Sequence, residues 1–476
     1  MLRLPILLPG MRHGMLFLLA ASCLAFSGCA NFSPDGGLDA VSSLTQARTG
    51  HAIQRDDLAE PVTHTQATVS QMLIQPLDVD SAVKIALRNN QGLQAALANL
   101  GVAEADLVQA GRIKNPGFSF GRMRNGDEIE IERSIMFDLL GLLTMPIRRG
   151  IEKNRFEQTV VQTAAQAVQL AADTRRAYFN AIAAQQSAQY LVQVQSAAEA
   201  GAELGQRMAK AGNWSQLDQA REQVFYADAT AQVLRAQHHA STTREQLTRL
   251  LGLANGNEIK LPDRLPDLPK SPADIGQLEA QAITQRLDIQ LAKYDVAATA
   301  RALGLSQASG FINVLDAGYV NQSNSGKARA NGYEVSLELP IFDWGRARNA
   351  KAKALYTQAL HHSADIALRA GSDVREAYSA YHTSYQLARH YRDEVVPLRK
   401  TISDEVLLRY NGMLTGVFEL LADAREQIHS VNAAIEAQRD FWIADTGLRN
   451  AVNGGGTDRI DDFASLPASS SAQQEN

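Results

Sequence analysis

The pattern of apolar and polar side chains changes period several times along this chain, and the changes come twice in the same order. Val83, Ala86, Leu87, Leu93, Ala96, Leu97 and Leu100 recur at spacings that keep one helix face apolar, so a single helix is predicted from Asp80 or Ser81 to about Ile113. Asn115-Pro116-Gly117 stops it. Phe118, Phe120 and Met123 are then set against Ser119, Gly121 and Arg122, and Ile129 and Ile131 against Glu128, Glu130 and Glu132. That period of two marks strands with one apolar and one polar face, and Asn125-Gly126 between them signals a hairpin over about 117–137. Pro146 and Gly150 lead into helical tracts over about 151–253, interrupted at Ala211-Gly212-Asn213. A helix of about fifty-five residues reaches roughly 80 Å and must bundle along its length.

A linker at 256–276 holds Pro262, Pro266, Pro269 and Pro272. Beyond it the order returns: a helix to Ser309, a hairpin over about 311–341, and helical tracts over about 346–450 that meet at Asn411-Gly412. The clearest stretch is the end of that second hairpin. Tyr333, Val335, Leu337 and Leu339 point one way and Glu334, Ser336 and Glu338 the other, before Pro340, Asp343 and Gly345 turn the chain into a helix at Arg346. Letters repeat as well. Pro146-Ile147 answers Pro340-Ile341, which makes Thr144 to Gly150 the first strand-to-helix junction, and Ala220-Arg221-Glu222-Gln223 returns as Ala424-Arg425-Glu426-Gln427. Residues 77–255 and 277–453 are therefore read as two copies of one structural unit.

Composition narrows the function classes. The net charge is -5 with no basic block, so nucleic-acid binding has no electrostatic support. Only 6% of residues are aromatic, while alanine and glutamine abound, which favours long, closely packed helices. The two cysteines, Cys23 and Cys29, allow no disulfide framework in the body of the chain. Residues 1–28 read as a signal peptide: Arg3, Arg12 and His13 lead an apolar run from Met15 to Phe26. Ala25-Phe26-Ser27-Gly28-Cys29 resembles a bacterial lipobox with Phe26 in the usual leucine position, so Cys29 is the expected lipidation site. Residues 29–76 are then expected as a lipid-anchored extended arm, and 454–476 as a flexible tail. No later run approaches eighteen consecutive apolar residues, so any membrane span must be β.

No Gly-rich phosphate loop, Gly-x-Ser-x-Gly or His-Glu-x-x-His occurs, so an enzyme reading has no residues to stand on and no cofactor is implied. His238-His239 and His361-His362 read as solvated surface rather than metal ligands, since adjacent helical residues lie about 100° apart. Two hairpins supply four strands, each of a length that crosses an outer membrane, and four strands cannot close a barrel. The protomer must oligomerise, as two copies or as three.

Asn115-Pro116 before the first hairpin, Leu339-Pro340-Ile341-Phe342-Asp343-Trp344-Gly345 after the second, and Arg409-Tyr410-Asn411-Gly412 at the later helix break stand in fixed order within a duplicated unit. Over Leu77 to about Val452 the chain thus resembles the TolC-like outer-membrane efflux family. The resemblance implies a mainly α fold with a small β part: a homotrimer whose twelve-stranded outer-membrane β-barrel continues as a long periplasmic α-helical barrel. It implies a periplasmic adaptor and an inner-membrane pump as partners, besides outer-membrane lipid. It places adaptor docking at the helix tips, around Gly212, Asn213 and Ser215 and around Gly412, Met413 and Thr415; capping by glycine is the plainer role for those breaks. It also implies an acidic pore constriction, for which Asp218, Glu419 and Asp423 are the matching positions. If the apolar strand faces meet lipid, Glu128, Glu130, Glu132, Glu334 and Glu338 line the lumen. The expectation is a passive, lipid-anchored outer-membrane exit duct of a tripartite efflux system. The alternatives are the outer channel of a type I protein secretion system and a structural coiled-coil envelope lipoprotein, which would need no alternating strands.

Overall fold

The computed structural model describes residues 31–53, 69–256, 259–272, 274, 276, 278–308, 314–338 and 342–454. Cys29, the signal segment, Leu339 to Ile341 and the tail beyond 454 lie outside the described residues. The elements in chain order are α1 (Leu38–Thr49), α2 (Val79–Asn89), α3 (Gln91–Ala110), β1 (Gly117–Asn125), β2 (Glu128–Asp138), α4 (Leu139–Lys210) and α5 (Gln216–Leu250). There follow α6 (Leu278–Gln285), α7 (Leu287–Ala308), β3 (Leu315–Asn324), β4 (Ala330–Leu337), α8 (Arg346–His390), a π-helical turn at Tyr391–Val395, α9 (Val396–Asn411) and α10 (Val417–Asn453). The chain divides into two compact units, one of residues up to 37, 98–160 and 291–364, the other of 38–97, 161–290 and 365 onward.

The first unit holds one antiparallel sheet in the order β1-β2-β3-β4, so the two hairpins lie side by side and β1 and β4 are its edges. Asn125 pairs with Glu128, leaving Gly126-Asp127 as a two-residue loop with Gly126 at φ 61°. A glycine in the first loop position is the type II′ requirement, so Gly126 follows the turn's geometry rather than the Asn-Gly type I′ pattern. The register puts every strand glutamate on one face. Glu130 opposes Met123 and Asn324, Glu132 opposes Gly121 and Gln322, and Glu334 opposes Gly318. The other face carries Phe118, Phe120, Ile135, Phe137, Tyr319, Tyr333, Val335 and Leu337, all of them exposed. Met123 falls on the glutamate face, against the expectation that groups it with the phenylalanines; the β1 residues that follow Phe120 on the apolar face are Arg122 and Arg124.

The first strand-to-helix junction is also not where the proline placed it. α4 begins at Leu139 and Pro146 stands inside it. The joint is Asp138, whose Oδ1 accepts the Gly141 N–H at 2.5 Å, while a Cβ on residue 141 would fall 2.2 Å from Asp138 Oδ2. An acidic cap with glycine three residues on starts the helix before the proline is reached. Pro146 lacks the N–H that would bond back, and Thr144 Oγ1 bonds the Leu140 carbonyl at 2.8 Å nearby. At the second junction Asp343 Oδ1 accepts the Gly345 N–H at 2.8 Å, with Gly345 at φ 71°.

The second unit contains the helix-packed core, where Tyr178, Phe179, Ile182, Leu247, Leu251 and Ile259 are buried together and Tyr178 donates to the Leu77 carbonyl at 2.8 Å. Three expectations change here. Leu38–Thr49, expected within an extended arm, is helical and buries Val41 and Thr45. The single helix predicted from residue 80 to 113 is two, because the Asn90 Oδ1 turns back to cap the second at the Leu93 N–H (3.1 Å). The proline-rich linker is a strap tied down along its length: Pro266 O accepts from Trp442 Nε1 and Gln438 Nε2, Tyr385 Oη donates to the Pro269 and Lys270 carbonyls, and Leu265 and Leu268 are buried.

The returning helix of each copy ends on a matched device. At the end of α5, Asn89 Nδ2 donates to the Leu251 and Gly252 carbonyls and Asn90 Nδ2 to that of Leu250. At the end of α10, Arg286 donates through Nη1 to Ala451 O (3.1 Å) and Ala370 O (3.4 Å), and its fork is held by Asp288 (2.7 and 3.0 Å) and Asp373 (3.0 Å). Orphan carbonyls of a buried helix end need such donors. Gly252 (φ 69°) and Gly454 (φ 75°) close the two ends; a Cβ would meet Asn89 O at 2.4 Å in one and Asp288 Oδ1 at 2.6 Å in the other. Arg286 is 4% exposed, so removing its charge leaves the buried Asp288 carboxylate without its counter-charge. Arg286→Met is expected to lower stability by about 3–5 kcal/mol, the range for breaking a buried ion pair, and Arg286→Lys to recover only part. Thermal unfolding of both variants within 1 kcal/mol of the parent, on the scale of an exposed pair, would show that the clamp is not a buried one.

Candidate functional site

The two helix reversals, α4 to α5 and α9 to α10, belong to the second unit, and both are built on the same backbone scheme. In the first, Asn213 N–H bonds Met208 O at 3.0 Å and Gly212 takes φ 76°. In the second, Leu414 N–H bonds Arg409 O at 2.8 Å and the left-handed residue is Met413, at φ 57°, while Gly412 sits at φ -80°. Both match a six-to-one C-terminal closure with a left-handed residue inside it. In the second turn a side chain occupies the position that glycine fills at no steric cost. Met413 is 94% exposed and Leu414 80% exposed, so the second turn presents two apolar side chains outward.

The next helices start differently. Ser215 Oγ accepts the Asp218 N–H at 3.2 Å and donates to Asp218 Oδ2 at 2.7 Å, while Arg221 lies 3.6 Å from the same carboxylate. Thr415 donates to Glu419 across a turn one residue longer, and Gly416 is the N-cap of α10. Asp218 and Glu419, the first two constriction candidates, each accept from the hydroxyl that precedes their helix, and a carboxylate in a first turn also suits the helix dipole. Asp423, the third, is buried with Oδ2 unbonded among the described residues. Asn213 and Gly412 are exposed.

Two features of this end were not singled out by motif. Trp214 stacks on Phe418, ring centroids 5.2 Å apart and planes 28° from parallel. Below it, Glu222 is 1% exposed, with Arg425 Nη2 3.8 Å from Oε1 and Oε2 unbonded among the described residues. The Arg425 guanidinium lies 4.4 Å from the centre of the Phe225 ring. The repeated Ala-Arg-Glu-Gln letters carried the signal, since Glu222 of one copy meets Arg425 of the other. Its counterpart Glu426 is exposed and pairs with Arg399 at 3.0 Å. Burial pushes the Glu222 carboxyl above the ordinary glutamate range, and Arg425 pulls it back only in part. The native state therefore holds a proton that the unfolded chain releases, so this group's contribution to stability declines as pH rises above about 4.3. Glu222→Gln is expected to raise the melting temperature, relative to the parent, more at pH 7 than at pH 4.5. A difference that is constant across that window, or that shrinks with rising pH, would contradict the burial argument.

His238, His239, His361 and His362 are exposed, and among the described residues no three metal-ligating side chains gather. No helix of the described residues is long and apolar enough to cross a membrane.

No protein-family model matches this sequence. Among curated proteins, the chain is 25% identical over 206 residues to the cobalt-zinc-cadmium resistance protein CzcC of Cupriavidus metallidurans, covering 42% of this chain and 48% of that protein, about half the relative's length. Solved structures align over far more. The outer membrane channel CmeC of Campylobacter jejuni matches with a TM-score of 0.70 at 16% identity, covering 81% of this chain and 89% of that one. The open state of the MtrE outer membrane channel of Neisseria gonorrhoeae matches with a TM-score of 0.64 at 18% identity, covering 79% of this chain and 89% of that one. This chain has the mainly helical, small-sheet fold of outer-membrane channel proteins of the TolC-like type.

Proposed function

We propose that this chain is one protomer of an outer-membrane exit channel of a tripartite efflux system. The sheet carries the reading. It exposes eight large apolar side chains on one face, gathers Glu128, Glu130, Glu132 and Glu334 on the other, and leaves both edge strands open. In lipid each unbonded backbone group costs several kcal/mol, so such a sheet is stable there only when neighbouring copies pair its edges. Three copies would give twelve strands and a closed barrel, apolar outside and acidic inside. A coiled-coil spacer lipoprotein has no use for this sheet. No bound nucleotide or redox chemistry is needed in an open duct; the driving energy would come from an inner-membrane pump through a periplasmic adaptor. The adaptor would dock at the helix turns, where Met413 and Leu414 stand exposed beside Gly412, and around Gly212, Asn213 and Ser215 in the other. Asp218, Glu419 and Asp423 would narrow the channel just inside. Cys29 would carry the lipid that holds the arm to the membrane.

The acidic face sets the ion preference. Single-channel recordings in planar bilayers are expected to show cation over anion selectivity, reduced when Glu130, Glu132 and Glu334 are replaced by Gln; anion preference would remove the lumen assignment. For the turns, Gly412→Trp and Leu414→Asp are expected to abolish export of the pump's substrate, leaving oligomer extracted from the outer membrane at the parental level. Gly412 has a backbone conformation that any side chain can adopt, so the substitution tests contact rather than folding. Normal export in both variants would refute docking at the second turn.

A further inference from the structure

The two turns of a protomer are not equivalent, and the difference lies in three residues. In the first turn, the residue after the six-to-one closure is Trp214, which folds inward; in the second turn that place is held by Thr415, while Leu414, the counterpart of Asn213, is 80% exposed. Trp214 can fold inward because Gly205, seven residues before Gly212 on α4, leaves a notch: a Cβ there would lie 3.0 Å from Trp214 Cζ3 and 3.4 Å from Cε3. The residue seven before Met413, the left-handed residue of the second turn, is Val406, so the second copy has no glycine notch. Seated there, the indole reaches the Phe418 ring, which belongs to the first turn of α10. The same Gly205 Cβ position is 3.7 Å from Glu222 Cβ, and Gly201, one helical turn earlier, is flanked by Glu222 Oε2 and Leu421 Cδ2. The indole therefore packs over the buried Glu222 and joins α4, α5 and α10, with Phe418 itself 42% exposed.

We propose that Trp214 is a positioning residue that clasps the first helix turn to the second, so that both turns of a protomer open and close as one body. The clasp works by π-stacking over a glycine notch, and the second turn is left free to present Met413 and Leu414. Aromatic pairs contribute modestly beyond the area they bury, enough to couple two short segments that are otherwise held by a few backbone bonds. Engagement of Met413 and Leu414 by a partner would then be felt at Gly212, more than two hundred residues away in sequence. That last consequence rests on the docking reading above. The coupling itself does not, and it can be read without any partner.

The test is hydrogen–deuterium exchange of the full chain in detergent, followed at the hydrogen-bonded amides of both turns: Ala211 to Asn213 in the first, Gly412 to Leu414 with Glu419 and Leu420 in the second. Trp214→Ala is expected to speed exchange roughly three- to tenfold in both turns, the range an aromatic pair supports. Trp214→Phe, which keeps a ring in the notch, is expected to restore both to within about twofold of the parent. Phe418→Ala should reproduce the effect from the other side, reaching Ala211 to Asn213. Acceleration confined to the mutated turn in both alanine variants would overturn the clasp, as would equal acceleration in Trp214→Phe and Trp214→Ala. Loss of export in Leu414→Asp bears on docking alone and leaves this result unaffected.

Discussion

Backbone groups that would otherwise be buried or lipid-facing without a partner constrain this chain wherever an element ends. The carbonyl ends of α5 and α10 lie against other helices, and each is met by donors sent from a junction between two neighbouring helices: two asparagine amides in one copy, one arginine fork in the other. The chemistry differs because the helix arriving differs. Asn90 also caps its own α3, so a neutral amide serves two ends. Arg286 has no such second duty toward its own helix, and its charge is balanced by Asp288 and Asp373. A buried cation is tolerated only with that pairing, and Gly252 and Gly454 are needed because both clamps pass within 3 Å of where a Cβ would be. The sheet poses the same problem with another solution. Its inner strands satisfy each other, and its edges can be satisfied in lipid only by further copies.

This difference explains what was readable in the letters. The strand faces follow from a period of two, which is local, and Phe118, Phe120, Val335 and Leu337 sit where alternation puts them. Met123 failed because, near the turn, the apolar face gives way to Arg122 and Arg124, so hydrophobicity and parity disagree and parity wins. Pro146 misplaces the first junction because Asp138 and Gly141 start the helix before the proline is reached. The strap over 259–272 and the helix at Leu38–Thr49 depend on partners 176 and 237 residues away. No window along the chain contains both members of those pairs.

The turns illustrate how a motif can be right in kind and displaced in detail. The glycine-containing breaks are where the helices reverse, but the left-handed residue of the second is Met413, one place beyond the glycine. The acidic positions that resemblance assigned to a constriction are, within one protomer, hydrogen-bonded to the hydroxyl before their helix or buried. Both statements can hold together, since a carboxylate fixed at a helix start keeps its charge at a defined place. What resemblance could not supply was Trp214, because the aromatic reading depends on Gly205 and Phe418 being opposite it.

Duplication gives two copies of each device, and the copies have diverged in ways that separate tasks. One helix end is held by neutral amides and the other by a balanced ionic cluster. Glu222 is buried against Arg425 while its counterpart Glu426 stays at the surface. A tryptophan folds inward in one turn, and a leucine stands outward in the other. A duct of the kind proposed, assembled from identical protomers, would need surfaces that hold it together and surfaces that meet something else. At the turns the first copy supplies Trp214, and the second supplies both its partner Phe418 and the exposed Met413 and Leu414. An arrangement like that of Trp214 in the second turn would need a glycine at position 406, where that helix carries valine.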